Sequence, residues 1–282
     1  MVDHQFQYTT ENDIPLPDSI GRFKVIEFVS RNSGSQGSVY KAINPDNNTE
    51  VAIKVIGNSF QSYSQSLISA LVGEDDMEQL RREAGILHTL DHPNIVKLLE
   101  TGYDPEYGTY LIMEWISGGN IQSILDWYNV KKLSISLASK IIIKILEALE
   151  AAHKSGITHL DIKPHNILIT EDEDVKLSDF GIAGNSKDKI LAGRGTEGYM
   201  APEQQDPNRI NLVGPTSDIY SVGILLVKML TGHLPRNRKD MEKILETMPK
   251  SLSKFIDSAT KEDPSSRFQS AQDALRHFLT II

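Results

Sequence analysis

The reading of this chain turns on His159-Leu160-Asp161-Ile162-Lys163-Pro164-His165-Asn166, followed at a distance by Asp179-Phe180-Gly181. Asp161 can orient a hydroxyl and accept its proton. Lys163 can neutralise a moving phosphoryl group. Asn166, five residues after the aspartate, can hold a divalent metal. Pro164 stiffens the loop by fixing φ. Thirteen residues past Asn166, Asp179 stands between the apolar run Val175–Leu177 and a glycine, a placement suited to Mg2+. Either motif alone is compatible with an ordinary turn. Together, at this separation and downstream of Val51-Ala-Ile-Lys54, they make coincidence the weaker explanation.

Further toward the N-terminus lies Gly34-Ser-Gln-Gly37-Ser-Val39. Glycines between two strands let backbone N–H groups approach phosphate oxygens without Cβ interference. A plain hairpin turn explains this stretch equally well. Lys54 ends an alternating strand and can point at an anion, although a surface lysine is the ordinary alternative. Strand-like runs cover Phe23–Ser30, Ser38–Asn44 and Val51–Ile56, and read as an antiparallel meander. A Ser/Gln-rich stretch, Ser59–Asp76, contains a candidate extra helix over Gln65–Val72. A helical pattern follows, with Met77, Leu80, Ala84 and Leu87 on one face. Two more strand-like runs, Val96–Tyr103 and Thr109–Trp115, precede Gly118-Gly119. Beyond them the pattern is helical: Ile135–Ser155 is amphipathic, and Ser217–Thr231 is apolar nearly all round, as a buried helix is. The expected fold class is α+β. A polar tail spans 1–17, a small β-rich lobe with one main helix 18–113, a hinge 114–118 and a larger, mainly helical lobe 119–282.

Composition sets outer limits. The chain has 282 residues, 39% apolar and 24% charged, enough for a hydrophobic core. It has no cysteine, which excludes disulfides, thiolate catalysis and Cys-based zinc sites. A formal net charge of −9 argues against nucleic acid as a partner, because that needs a basic face. Residues 1–11 are polar and carry no apolar signal region. Neither apolar stretch, Ile135–Ala152 nor Ile219–Leu230, is suited to crossing a bilayer. The reading is a cytoplasmic protein with no membrane span, unless the chain was cut from a longer membrane-anchored one, and no oligomeric state is assigned.

The motif set resembles, in chain order, the eukaryotic-type (Hanks-type) Ser/Thr protein kinase domain, over about residues 20–280. Ala201-Pro202-Glu203, Gly195-Thr196-Glu197-Gly198-Tyr199, Ser217–Gly223 and Asp263-Pro264-Ser265-Ser266-Arg267 belong to the resemblance. Lys163 with Thr196 is similar to the Ser/Thr branch, and the Asp263–Ala274 ending to its bacterial members. The resemblance implies a bilobal kinase fold. It implies transfer of the γ-phosphoryl group of ATP, with Mg2+ or Mn2+, to Ser and Thr hydroxyls of protein substrates, including the chain itself. It implies that Asn32, Gly34 and Gly37 cover the phosphates, and that Lys54 contacts them while pairing with Glu83. Met113 corresponds to the gatekeeper, Glu114 and Ile116 offer backbone to the adenine edge, and Val39, Ala52 and Leu168 sandwich its ring. Asp161 is the implied base, assisted by Lys163 and Thr196, with Asn166 and Asp179 the metal ligands. Glu203 and Arg267 are expected to form an ion pair, Asp218 to brace the loop, and Leu87, Leu98, His159 and Phe180 to stack in an apolar column.

Three departures stand out. Asn32 replaces the first glycine of the Gly-rich loop, Leu160 replaces the usual Arg before Asp161, and the stretch between Lys54 and Glu83 is longer than the family pattern. The serines at 59, 62, 64, 66 and 69 make that stretch a candidate phosphorylation or docking segment, with a solvated loop as the alternative. Two competing functions also remain open. A pseudokinase scaffold would bind nucleotide only, and is opposed by the full set Lys54, Glu83, Asp161, Asn166 and Asp179. A small-molecule phosphotransferase is opposed by Ala201–Glu203 and Gly195–Tyr199, which build a peptide ledge.

Overall fold

The computed structural model describes residues 16–31, 37–55, 74–127, 132–180, 183 and 195–282. The described residues fall into two compact units. One lies within Met1–Met77 together with Glu100–Trp115, and the other comprises Glu78–Leu99 with Ile116–Ile282. Asn32, Gly34, Ser186 and the candidate helix Gln65–Val72 lie outside the described residues.

The first unit is built on a sheet of six strands. These are β1 (Ser19–Ile20), β2 (Phe23–Arg31), β3 (Ser38–Ile43), β4 (Glu50–Val55), β5 (Leu98–Asp104) and β6 (Gly108–Glu114), in the order β1-β2-β3-β4-β6-β5. The pairings β1–β2, β2–β3, β3–β4 and β4–β6 are antiparallel. Period-two alternation explains the core. Ile20, Phe23, Val25, Tyr40, Ala42, Val51, Ile53, Val55, Tyr110 and Ile112 form one buried cluster. The register opposes Val39 to Lys54, Lys41 to Ala52, Lys54 to Leu111 and Ala52 to Met113. Val39, Ala52, Lys54 and Met113 therefore share the other face of the sheet.

The Tyr110 ring fills the space that two glycines leave. A Cβ on Gly102 would sit 2.2 Å from Tyr110 Cζ, and one on Gly21 (φ +57) would sit 2.2 Å from Tyr110 Oη. Gly102→Ala is accordingly expected to cost about 1–3 kcal/mol through overpacking. Thermal unfolding measures this directly, and a Tm within about 1 °C of the wild type would contradict that packing.

Helix α1 (Glu74–Thr89) begins three residues earlier than its apolar periodicity indicates. Glu74, Asp75 and Asp76 belong to this helix. They leave the Ser/Gln-rich stretch shorter than expected. Leu87 is buried on this helix. Strand β5 starts at Leu98 rather than Val96. The Val96 N–H is committed instead to Leu177 O at 2.9 Å.

The second unit is mainly helical. It contains α2 (Ile121–Trp127), α3 (Ile135–Lys154), α4 (Pro202–Gln205), α5 (Pro215–Thr231), α6 (Arg238–Glu246), α7 (Lys250–Ala259) and α8 (Ala271–Leu279). A short antiparallel hairpin of β7 (Ile167–Ile169) and β8 (Val175–Leu177) joins them. Ser134 caps α3 by accepting the Leu137 N–H at 3.2 Å. The helix buries Ala138, Ile141, Ile142, Ile145, Leu146, Ala148, Leu149 and Ala152, a helical stripe. α5 is buried on nearly every side, as its sequence predicts. It starts at Pro215, whose missing N–H costs nothing in a first turn. Gly223 lets α5 approach α7 closely, since a Cβ there would meet Thr260 Cγ2 at 2.6 Å.

Candidate active site

The loop 157–166 leaves the C-terminal end of α3 and is held from beneath by α5. Asp218, fully buried in the first turn of α5, accepts His159 N–H at 2.9 Å on Oδ2 and Leu160 N–H at 2.7 Å on Oδ1. Its Oδ2 also lies 2.8 Å from His153 Nε2, in the last turn of α3. A carboxylate in this position completes a helix N-terminus and fixes two loop amides at once. The brace expected of Asp218 is thus present, and His153 joins it.

Asp161 is buried, and its carboxylate is closely engaged. Oδ1 accepts the Thr196 hydroxyl at 2.7 Å, Oδ2 lies 2.7 Å from Lys163 Nζ, and Asn166 Nδ2 reaches Oδ2 at 3.2 Å. Lys163 Nζ also donates to Thr196 Oγ1 at 2.8 Å. The ammonium, the carboxylate and the hydroxyl therefore close a triangle, in which the lysine offsets the charge of a buried acid. Asp161, Lys163 and Asn166 were read from one motif and Thr196 from another, and the fold brings the two together.

Asn166 donates Nδ2 to the Asp161 carbonyl as well, at 2.9 Å. With its NH2 turned to Asp161, the amide keeps its carbonyl oxygen, the atom a hard cation takes. Ser178, the residue before Asp179, donates both N–H (2.9 Å) and Oγ–H (3.1 Å) to Asn166 O and is thereby tied to this loop. Asp179 has φ +63 and Leu160 φ +68, left-handed backbone that residues with a Cβ avoid. Such strain is kept where the surroundings over-determine it. After Asp179, the fully buried Phe180 ring meets His159 edge-on at 4.6 Å between centroids. His159 Nε2 lies 3.0 Å from Ser178 O, so this histidine is structural. Of the expected apolar column, Leu87, His159 and Phe180 are buried, and Leu98 is half-buried.

No group of three or more His, Cys, Asp or Glu side chains able to hold a metal occurs among the described residues. The expected donor set, one carboxylate (Asp179) and one amide (Asn166), suits Mg2+, which takes one or two carboxylates and completes its shell with water and phosphate oxygens.

Leu160 occupies an apolar pocket. It is buried against Val213, with Ile210 packed on the pair. An Arg side chain in that pocket would set a charge among apolar groups.

The segment expected to form a peptide ledge is anchored by an ion pair. Glu203 and Arg267 are both buried and pair at 2.6 Å (Nη1–Oε1) and 2.8 Å (Nη2–Oε2). Ser217 Oγ donates to Glu203 Oε1 at 2.7 Å. Arg267 spends its remaining donors on the carbonyls of Lys261, Thr216 and Glu262, and lies over the Tyr220 ring. All five guanidinium N–H groups are therefore satisfied. Among the residues expected to meet the nucleotide, Gly37 has φ +82, Ile116 is buried, Glu114 is partly exposed, and Leu168 bridges to Asn120. Lys54 and Glu83 are each buried, in different units.

A family profile described as "Protein kinase domain" matches residues 32–280. The chain belongs to the protein kinase family. A probable serine/threonine-protein kinase of Clostridium perfringens is 31% identical over 273 residues, covering 90% of this chain and 37% of that protein. The serine/threonine-protein kinase PrkC of Bacillus subtilis is 29% identical over 272 residues, 90% of this chain and 39% of its own length. The serine/threonine-protein kinase PknL of Mycobacterium tuberculosis is 30% identical over 259 residues, 85% and 61% respectively. The chain thus spans less than two fifths of the length of these first two relatives. Its likeness to bacterial Ser/Thr kinases agrees with the resemblance seen in its motifs.

Two residues of this kinase domain gave no signal in the sequence. His153 reads only as a basic residue closing α3. Gln204 reads as a polar residue following Pro-Glu, with no periodicity around it to show that it is buried.

Proposed function

We propose that this domain transfers the γ-phosphoryl group of Mg-ATP to Ser and Thr hydroxyls of proteins. The closed arrangement of Asp161, Lys163, Thr196 and Asn166 is the observation that carries this reading. Bound Mg-ATP supplies the transferable group and the metal charge that loosens it. Asp161 orients the incoming hydroxyl and takes its proton. Lys163 counters charge on the moving group, and Thr196 holds both side chains in place. Asn166 and Asp179 are the residues for the metal, which Mn2+ can replace. Asn32, Gly34 and Gly37 cover the phosphates, while Lys54, positioned by Glu83, neutralises them. Val39, Ala52, Met113, Glu114, Ile116 and Leu168 receive the adenine. The common sheet face of Val39, Ala52, Lys54 and Met113 supports this assignment.

Residues 18–113 then act as the nucleotide lobe, 114–118 as the hinge and 119–282 as the substrate lobe. Among the described residues, no helix is long and apolar enough to cross a membrane. Dependence on ATP favours the cytoplasm as the site of action. Incubation with Mg-ATP and casein or myelin basic protein tests the function. Nucleotide binding without transfer would establish a scaffold instead.

Burial of Leu160 leads to a regulatory expectation. The residue that commonly receives an activation-loop phosphate is here an apolar side chain with no donor. Between Asp179 and Glu203 the only Ser/Thr hydroxyls are Ser186 and Thr196. Thr196 is engaged with Asp161 and Lys163. Phosphatase treatment or Ser186→Ala is therefore expected to leave kcat/KM on an exogenous peptide unchanged. A fall beyond about tenfold, or ~1.4 kcal/mol of transition-state stabilisation, would show that another cation receives a phosphate there.

A further inference from the structure

We infer that Gln204 is a positioning residue for Asp161, linking the substrate ledge to the catalytic loop. This rests on the phosphoryl-transfer reading above. Gln204 lies in the short helix α4 and is fully buried. Its amide works at both ends. Oε1 accepts the Ala201 N–H at 3.0 Å, and Nε2 donates to Leu160 O at 3.0 Å. The first bond is local. The second reaches the loop and holds the carbonyl of the peptide that leads into Asp161.

The N–H of that same peptide, on Asp161, donates to His159 Nδ1 at 3.2 Å. One peptide earlier, the Leu160 N–H is held by Asp218 Oδ1 at 2.7 Å. Leu160 sits at φ +68, a conformation that relaxes unless external bonds maintain it. Asp218, Gln204 and His159 provide those bonds. The direction of the Asp161 carboxylate follows from this backbone, and Gln204 is the member of the set contributed by the ledge.

Gly195 lies over the same point. A Cβ there would stand 3.0 Å from Leu160 O and 3.2 Å from Gln204 Nε2. Because Gly195 precedes Thr196, the Thr196 segment, the ledge and the Asp161 peptide converge on one side-chain amide. The position needs a donor and an acceptor on a single flat group. An ionised Glu lacks the donor and would set a carboxylate against a carbonyl, whereas a neutral Glu supplies both.

The test combines peptide-phosphorylation kinetics, Mg-ATP binding and thermal unfolding. Gln204→Met, similar in shape but without either bond, is expected to lower kcat more than about tenfold while Mg-ATP affinity stays within about threefold. A folded Gln204→Met variant whose kcat lies within about twofold of wild type would overturn the inference. Should that variant fail to fold, Gln204→Glu decides. Burial pushes a carboxyl there upward, so the working neutral form dominates at low pH and is lost as pH rises. The kcat of Gln204→Glu relative to wild type should then fall between about pH 6 and 9, and a constant ratio would overturn the inference. Absence of transfer by the wild type itself would instead refute the function, a result separable from losses confined to position 204.

Discussion

Asp161→Asn should reduce kcat for phosphoryl transfer by about 10²–10⁴-fold, the usual contribution of a placed acid or base. Mg-ATP affinity should stay within a few-fold. The geometry makes the substitution clean. An amide can keep its oxygen toward Lys163 and Asn166 while its NH2 turns to Thr196 Oγ1, the group that now donates to Oδ1. Shape and packing survive, but the proton acceptor is lost. Single-turnover transfer to a peptide, with nucleotide binding measured in parallel, checks both halves. Retention of more than about a tenth of the wild-type kcat, a loss below ~1.4 kcal/mol, would remove Asp161 from the role of base. Asp179→Asn should differ by weakening Mg-dependent nucleotide binding as well.

The largest effect on stability is expected at the buried ion pair. Arg267→Ala strips Glu203 of its cation, and leaves the carbonyls of Lys261, Thr216 and Glu262 without their donors. Breaking a fully buried pair from one side costs about 3–5 kcal/mol, because the remaining charge stays desolvated. At about 2–4 °C per kcal/mol for a chain of this size, Tm should fall by roughly 10 °C. The double variant Glu203→Gln with Arg267→Met leaves no orphaned charge and should recover part of the loss. A single variant with unchanged Tm would mean that the pair is not the anchor of the ledge.

Much of this was legible in the sequence because kinase chemistry depends on side chains at fixed spacing. Asp161, Lys163 and Asn166 occupy one loop, so their spacing in the chain already implies proximity. Thr196 was legible only through resemblance, since nothing in the local pattern says that its hydroxyl reaches across to Asp161. Helix α3 announced itself by an apolar stripe, and α5 by being apolar on all sides. The boundaries that shifted did so through bonds that periodicity does not carry. Val96 resembles a strand residue, but its N–H belongs to Leu177. Glu74–Asp76 look like loop, yet already belong to helix α1. Gln204 was hidden for a related reason: its worth lies in a hydrogen bond to a carbonyl 44 residues away. Leu160 was legible as a departure, whereas the pocket of Val213 and Ile210 that accommodates it was not.

Transfer itself is the most direct test. The domain is incubated with Mg2+ and γ-labelled ATP in the presence of casein, alongside Asp161→Asn, and the labelled residues are mapped by mass spectrometry. The expected result is multiple-turnover labelling confined to Ser and Thr, lost in the Asp161→Asn sample. Nucleotide binding by the wild type with no label on any protein, or equal labelling by the two samples, would contradict the proposed function.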